Sequence, residues 1–511
     1  MQQESRVKKS FLNARVNLLF YFLTLALSFF SRGIFLDNLG ADFIGLTGTL
    51  GSLIGFLNLA ESGVSSAIAV VLYTPIYNHN QDKINEIVSV LGYLYHKIGI
   101  FIFVGGVILS CSFPWIFSDS GISQPIIYLV FYAFLGSALI GYFINYKQVL
   151  LSADQRNYVV AAYSQTANLF KVGLQMTIAF YLKSWILWIL IEFTFGIIYS
   201  IILNWKIRQV YPWLTATAYK GKSLLKVYPQ IIRNTKQLFV HKIGAVVYGQ
   251  ATPFLVYLFA SLQTVAYYGN YTTVTFKLSA LLSNFLGGTN ASVGNLIAEG
   301  DKSIILRVYW ELTSLRFIFV TVTVFAMYNL LPPFIALWLG KQYIMSQTVL
   351  VLVLTAFALS IIRGVTEEFL FGYGLFRDIW SPLAEAAILT GVGVLGGYLR
   401  GFEGALWGPI VSSILIIYIW KPYYLFRDGI KISVWKYWRE YAKYLIAVVI
   451  SFYFGIKLLG VLHLNIDIYT KWIDWLLYAM VIIGIYFPLC CIFLYISNKG
   501  TRTLFKRLIK R

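Results

Sequence analysis

Residues 16–35 have the sequence VNLLFYFLTLALSFFSRGIF, in which the only charged side chain is Arg32, close to the end. A helix of this length is roughly 30 Å long, the thickness of the hydrocarbon core of a bilayer. Comparable apolar stretches recur as far as Ser497, and no hydrophilic interval between them is long enough to fold as a soluble domain. The sequence therefore predicts an all-α integral membrane protein and excludes a membrane-tethered enzyme with a separate catalytic domain.

The composition supports a membrane location. Of the 511 residues, 59% are hydrophobic and only 12% are charged, about half the charged share of an ordinary soluble domain. The formal net charge is +20, which in a soluble protein would suggest nucleic acid as a partner. Here Lys and Arg collect in particular loops and at the termini, as the positive-inside rule describes. Nucleic acid is therefore not an expected partner.

The alternation of apolar spans and short polar breaks predicts about fourteen transmembrane helices. The predicted spans are Val16–Phe35, Phe43–Tyr73, Ile84–Leu109, Pro125–Lys147, Tyr158–Tyr181, Trp185–Trp205, Lys242–Leu262, Val265–Ala298, Ile304–Leu330, Tyr343–Phe371, Pro382–Tyr398, Gly404–Trp420, Tyr441–Leu462 and Trp472–Ser497. Basic breaks alternate with breaks that hold single cations. Both termini are therefore predicted to be cytoplasmic, which agrees with an even number of spans.

The most basic break, Lys206–Phe239, divides the chain near its middle. We predict four parts: a six-helix bundle at 1–205, a basic cytoplasmic or interfacial linker at 206–240, a second six-helix bundle at 241–436, and helices 13 and 14 with a basic tail at 437–511. Apolar residues recur in the linker at near-helical spacing, which indicates an amphipathic helix on the inner leaflet. A solvated basic linker explains the same composition, and both interpretations stay open.

Two of the predicted spans, the second and the eighth, are unusually long and are interrupted by glycine. The interior of the second is Gly55-Phe-Leu-Asn-Leu-Ala-Glu-Ser-Gly63, and that of the eighth is Asn284-Phe-Leu-Gly-Gly-Thr-Asn290. Broken helices at corresponding positions in two halves are typical of the binding site of a secondary transporter.

The sequence contains no motif of a soluble enzyme that would account for its function. The sequence has no P-loop, so nucleotide hydrolysis is not expected, and its four histidines are scattered without metal-ligand spacing. We therefore expect no catalytic residues, no metal and no cofactor, although coupling to protons or Na⁺ is compatible with the sequence.

Ionisable residues inside the predicted spans are the main candidates for function, because a charge in hydrocarbon costs several kcal/mol unless it meets a partner or water. The basic candidates outnumber the acidic ones, which favours an anionic cargo. The candidates are Arg32, Glu61, Lys171, Lys277, Arg316 and Arg363, with Glu367 and Glu368 beside the last.

Each of these charges has a structural alternative. Arg32 is near enough to the outer end of its span to extend to the interface. Lys171 and Arg316 could pair between helices, and Glu61 and Lys277 could pair with each other. Arg363 could lie at a cytoplasmic helix end.

Four amides complete the predicted site. Asn58 precedes Glu61 by three residues and therefore shares its helix face. Gln250, Asn270 and Asn284 lie in the seventh and eighth spans. All four could bind sugar hydroxyl groups or, alternatively, hydrogen-bond between helices.

Several motifs of the first hundred residues resemble those of a known family. They are Asn13-Ala-Arg-Val-Asn17, Phe35-Leu-Asp-Asn-Leu-Gly40, Phe56-Leu-Asn-Leu-Ala-Glu-Ser-Gly63 and Tyr73-Thr-Pro-Ile-Tyr77. Together with the fourteen-span plan, they are similar to the Wzx-type flippases of O-antigen and capsular polysaccharide repeat units. These flippases belong to the multidrug/oligosaccharidyl-lipid/polysaccharide (MOP) exporter superfamily.

The resemblance implies a MATE-like fold, with two pseudo-symmetric six-helix bundles around a central cavity and two extra C-terminal helices. The implied cargo is an undecaprenyl-pyrophosphate-linked repeat unit, moved from the inner to the outer leaflet of the bacterial plasma membrane. Arg32 and Lys277 would bind the pyrophosphate, and Glu61 would tune or couple transport. Implied partners are membrane lipids and the polymerase and export machinery of the same pathway. The alternatives are a multidrug/cation antiporter of the same superfamily and a membrane glycosyltransferase or polymerase.

The predicted orientation can be tested with reporter fusions. Fusions at Lys83, Arg156, Lys222 and Arg427 are expected to report the cytoplasm, because their loops are basic. Fusions at Ser118 and Lys341 are expected to report the outer side, as measured by alkaline phosphatase and fluorescent-protein activity. One inverted position within the first six spans would contradict the predicted topology.

Overall fold

A computed structural model describes residues 6–286, 290–375, 377–462 and 467–509. These residues form helices and contain no β-strand. The predicted all-α class is therefore confirmed.

The first half of the chain contains twelve helices, of which the short α5, α7 and α10 serve as connections. Their bounds are α1 Arg6–Leu39, α2 Ala41–Leu57, α3 Val64–Tyr77, α4 Gln81–Ser110, α5 Phe113–Ile116, α6 Gln124–Phe143, α7 Gln148–Ala153, α8 Asn157–Leu182, α9 Trp185–Val210, α10 Gly221–Leu224, α11 Pro229–Phe259 and α12 Leu262–Leu286.

The described residues of the second half form ten more α-helices. Their bounds are α13 Asn290–Glu299, α14 Lys302–Trp338, α15 Gln347–Ile362, α16 Gly364–Gly372, α17 Trp380–Ala405, α18 Trp407–Ser412, α19 Lys421–Tyr424, α20 Trp435–Val461, α21 Trp472–Ser497 and α22 Lys499–Ile509. A wide π-helical segment at Ser413–Trp420 joins α18 to α19, and a second one at Leu425–Ile430 continues α19, so that Trp407–Ile430 is one continuous span.

Eleven helical segments of the described residues are long and apolar enough to cross a membrane. Three further helices, α8, α11 and α12, have 26, 31 and 25 residues and are also long enough to span. Each of the three contains lysine, which lowers its hydropathy. The structure is therefore consistent with the predicted number of about fourteen spans, and the protein is a multi-pass membrane protein.

The chain divides into two compact units, Met1–Ala266 and Tyr267–Arg511. The predicted bundles at 1–205 and 241–436 group the spans by their order along the chain. Helix α11, which is the first span of the predicted second bundle, packs instead against α2 and α3 of the first unit.

The second membrane-crossing helix is broken between α2 and α3, as its glycines predict. After Leu57 the chain forms a 3₁₀ turn at Asn58–Glu61, and Gly63 then adopts φ +100°. A left-handed backbone of this kind favours glycine. The corresponding interruption predicted in the eighth span involves Gly287 and Gly288, which lie outside the described residues.

Glycines also let α2 approach its neighbours closely. A Cβ atom at Gly45 would collide with the backbone of Leu262, and one at Gly55 would collide with the side chain of Gln250. The small residues of α2 therefore face α11 and the start of α12, as is common where membrane helices pack closely.

The central basic segment differs from a single interfacial helix over 206–239. Helix α11 begins at Pro229 and continues without interruption to Phe259, so residues 229–239 are the first turns of a membrane-crossing helix. Proline suits this first position because its missing N–H would be unbonded there in any case. The helix that contains the predicted seventh span, Lys242–Leu262, thus begins within the predicted linker. A membrane-surface location of the remaining linker stays a prediction.

The linker packs against the N-terminal end of α4. Tyr228 donates a hydrogen bond to the Glu86 carboxylate at 2.5 Å, and the Asn85 side chain accepts one from the backbone N–H of Thr215 at 2.7 Å. Burial and the Glu86 carboxylate raise the pKa of Tyr228 to about 12, so this hydroxyl group remains protonated and can donate throughout the physiological pH range.

The last two long helices pack on α14 through aromatic rings. Phe325 of α14 stacks on Tyr486 of α21 with ring centroids 3.7 Å apart. Gly455 of α20 lies against both rings, where a Cβ atom would approach them to 2.7–2.8 Å. The segment predicted as two additional C-terminal helices thus packs into the second unit.

The break in the second span gives a stability prediction. Gly63→Ala is expected to destabilise the protein by about 1–2 kcal/mol, because the left-handed conformation disfavours a Cβ atom; that Cβ would also lie 3.0 Å from the Phe239 nitrogen. Gly51→Ala in α2 is the matched control, since its Cβ would meet no atom within 4 Å. Thermal unfolding of the purified protein in detergent measures both variants. Equal Tm values for the two would contradict the structure.

Candidate functional site

The break between α2 and α3 gathers polar side chains of the first unit. Glu61 is the last residue of the 3₁₀ turn, and its carboxylate accepts hydrogen bonds from the Ser65 hydroxyl and, at 2.7 Å, from the Tyr95 hydroxyl. Tyr95 is buried on α4, and Glu61 is half-buried. A carboxyl group held by hydroxyl donors can take up and release a proton or bind a cation.

Asn58 joins the same group of residues. Its side-chain oxygen accepts a hydrogen bond from Tyr142 of α6 at 2.9 Å. The rings of Tyr142 and Tyr95 pack edge to face with centroids 5.5 Å apart. The predicted shared face of Asn58 and Glu61 is therefore bordered by two tyrosines. We call Asn58, Glu61, Ser65, Tyr95 and Tyr142 the break cluster.

Two other predicted residues also lie in the first unit. Gln250 of α11 is half-buried and packs against Gly55, one turn before the break. Arg32 of α1 is half-buried and donates from Nη2 to the carbonyl of Ala266 at 2.8 Å. Gln250 therefore lies beside the second span near its break, and Arg32 is attached to the first turns of α12.

Three predicted residues follow one face of α12 in the second unit. Asn270, Lys277 and Asn284 are spaced by seven residues, which is nearly two helical turns. Asn270 is fully buried, Lys277 is half-buried and Asn284 is exposed. The two outward members could contact a ligand, whereas Asn270 is enclosed by protein in this conformation.

Arg316 and Arg363 meet acidic residues of neighbouring helices in the second unit. Arg316 forms a buried ion pair with Glu368 of α16, and its Nη1 donates to the carbonyl of Ile361 at 2.9 Å. Arg363 pairs with Glu367 at 2.8 Å and with Glu385 of α17 at 3.1 Å. The helix-pairing alternative describes Arg316 in this conformation. Arg363, whose predicted alternative was a cytoplasmic helix end, also pairs with a neighbouring helix, and a role of either arginine in substrate binding stays a prediction.

Lys171 is held in the same way in the first unit. Its Nζ lies 2.7 Å from Glu192 of α9, and Gln175 donates to the other oxygen of that carboxylate at 3.1 Å. Gln175 is buried. This triad ties α8 to α9.

The structure adds residues that the sequence analysis did not select. Glu192 and Glu385 lie inside predicted apolar spans, so a complete survey of intramembrane acids would have found them. Tyr95 and Tyr142 gave no such signal, because tyrosine is common in membrane helices. Among the described residues, no group of three or more His, Cys, Asp or Glu could hold a metal ion.

Comparison with known proteins identifies the fold. No protein-family model and no curated protein sequence matches the chain. A solved structure of the lipid II flippase MurJ in an inward closed conformation matches 97% of this chain and 100% of its own, with a TM-score of 0.62 and 15% identity. An inward-facing MATE multidrug-resistance transporter of the MOP superfamily matches 79% of this chain and 95% of its own, with a TM-score of 0.55 and 15% identity. The chain therefore has the fold of MOP-superfamily transporters.

The buried ion pair of the second unit gives a second stability prediction. Arg316→Met or Glu368→Leu alone is expected to cost about 3–5 kcal/mol, because each leaves an uncompensated buried charge. The double variant Arg316→Met/Glu368→Leu is expected to lose much less stability. Glu367→Gln is the control: its carboxylate is 44% exposed, and an exposed pair contributes about 0–1 kcal/mol. Thermal unfolding in detergent measures all four variants, and additive losses in the double variant would contradict the pairing.

Proposed function

We propose that this protein is a flippase that moves polyprenyl-pyrophosphate-linked oligosaccharide repeat units from the inner to the outer leaflet by alternating access. The observation that carries the proposal is the match to the lipid II flippase, which extends over 97% of this chain and all of that one. The match to the multidrug transporter leaves about a fifth of this chain uncovered. Full-length correspondence thus favours a lipid-linked cargo.

The charge of the chain agrees with an anionic cargo. The formal net charge is +20, and a multidrug exporter for cationic compounds would be expected to present acidic or apolar surfaces. Arg32 and Lys277 are the cations that we assign to the pyrophosphate, because charge-assisted hydrogen bonds to phosphate strengthen in a low-dielectric site. Asn58, Gln250 and Asn284 are assigned to sugar hydroxyl groups.

Glu61 is assigned to coupling. It lies in the 3₁₀ turn that interrupts the second span between α2 and α3. A change in its protonation there would alter the hydrogen bonds from Ser65 and Tyr95. No nucleotide or other cofactor enters this scheme. A proton or Na⁺ gradient would supply the free energy.

The proposed setting is the bacterial plasma membrane, with both termini in the cytoplasm. The polymerase and export machinery of the same polysaccharide pathway would receive the translocated unit.

Transport can be measured with the purified protein in liposomes. The cargo is a fluorescent polyprenyl-pyrophosphate-linked oligosaccharide, and the signal is its accessibility to a membrane-impermeant quencher. Arg32→Gln and Lys277→Gln are each expected to slow translocation about tenfold to a hundredfold, since a hydrogen bond to a charged group contributes about 1.5–3 kcal/mol. Lys277→Arg is expected to retain more activity, because a guanidinium group also binds phosphate.

Lys457→Gln is the matched control, because Lys457 also lies in a long helix, α20, but is exposed and contacts Tyr453. Undiminished translocation in both Arg32→Gln and Lys277→Gln would exclude the cationic site. Transport of a cationic dye without the lipid-linked glycan would favour the multidrug alternative, and glycan extension in the vesicles would favour a polymerase.

A further inference from the structure

The chain turns sharply after its last membrane-crossing helix. Helix α21 ends at Ser497, and Asn498 has an extended backbone with φ −121° and ψ 129° before α22 begins. Arg502 of α22 donates to the carbonyls of Tyr495 at 3.0 Å and Ile496 at 2.7 Å. These bonds satisfy carbonyls that the end of α21 leaves open, so they hold the start of α22 against the end of α21.

Helix α22 lies across α14. Gly500 packs against the backbone carbonyl of Trp310, and Arg507 forms an ion pair with the buried Glu311 at 3.1 Å. Positions 500 and 507 are about 10 Å apart along α22, yet both contact neighbouring residues of α14. Because α14 crosses the membrane, α22 runs along the membrane surface.

The depth of the contact on α14 corresponds to the headgroup region. Trp338, the end of α14, lies 27 positions after Glu311, which corresponds to about 40 Å along the helix. A bilayer measures about 40–45 Å including its headgroups. With Trp338 at the outer interface, Glu311 and the α22 that it contacts lie among the inner headgroups.

The two faces of α22 have different chemistry. Leu504 and Phe505 are half-buried against the aromatic core of the second unit, which includes Phe317 and Tyr486. A second, exposed face, which we call the tail face, consists of Lys499, Arg502, Lys506 and Ile509. The helix contains no acidic residue.

We propose that the tail face binds anionic phospholipid headgroups of the inner leaflet. Lys499 and Lys506 supply the positive charge, and Ile509, which is 82% exposed, enters the boundary between headgroups and acyl chains. Basic amphipathic helices bind anionic membranes by this combination. The ion pair between Arg507 and Glu311 then attaches the lipid-bound helix to α14. This inference rests on the predicted cytoplasmic orientation of the tail and is independent of the cargo.

A quenching experiment on the full-length protein tests the lipid preference. A fluorophore is attached at Ile509→Cys in a Cys111→Ser background, and labelling of the same background without the new cysteine is subtracted. The protein is placed in nanodiscs containing spin-labelled phosphatidylglycerol or spin-labelled phosphatidylcholine at equal mole fraction. Quenching is expected to be several-fold greater with the anionic lipid. Lys499→Gln/Lys506→Gln is expected to abolish that preference, because each lysine contributes about 1 kcal/mol to the attraction of an anionic lipid surface.

The control variant is Lys431→Gln/Lys436→Gln, which removes the same charge from exposed positions outside α22 and is expected to keep the preference. Equal quenching by the two lipids would overturn the proposal. So would a preference that survives in Lys499→Gln/Lys506→Gln. Absence of quenching by either lipid would also overturn it, because the tail face would then be available to a soluble acidic partner instead.

Discussion

In hydrocarbon, a backbone amide or carbonyl without a partner costs several kcal/mol, so a membrane helix can be interrupted only where the protein replaces the missing bonds. At the break between α2 and α3, the backbone N–H groups of Ser62 and Ala67 donate to the carbonyls of Leu59 and Gly63. Tyr142 and Tyr95 hydrogen-bond to polar side chains of the break from α6 and α4, and α11 packs against Gly63. The arrangement of the first unit therefore depends on one short non-α-helical segment and on the three helices that enclose it.

The same rule governs the charged side chains. Arg316, Arg363 and Lys171 each meet a carboxylate from another helix, which lowers the cost of keeping a charge within the membrane. The excess of cations in the membrane is consequently smaller than the selected candidates suggested, because Glu192 and Glu385 balance two of them.

The fold is shared by proteins of different cargo. The lipid II flippase and the multidrug transporter each match this chain at 15% identity, so few individual side chains are needed to specify the arrangement of helices. Helix length and hydropathy are retained more easily than identity, because many apolar residues fit a lipid-facing surface. Polar residues interrupt this pattern in a few places: Glu61 lies at the break of the second span, and Lys277 and Asn284 lie along α12.

The sequence by itself determined the membrane class, the approximate number of spans and the break of the second span, because hydropathy, helix length and glycine positions are local properties. It did not determine that α11 packs with the first unit, or that Tyr95 and Tyr142 hold the break cluster. It also left the partners of Arg316 and Lys171 open. Those features depend on how each helix is rotated and which distant helix it meets. Only the tertiary structure decides these features, because the sequence of a uniformly apolar span does not indicate which of its faces packs against a neighbouring helix.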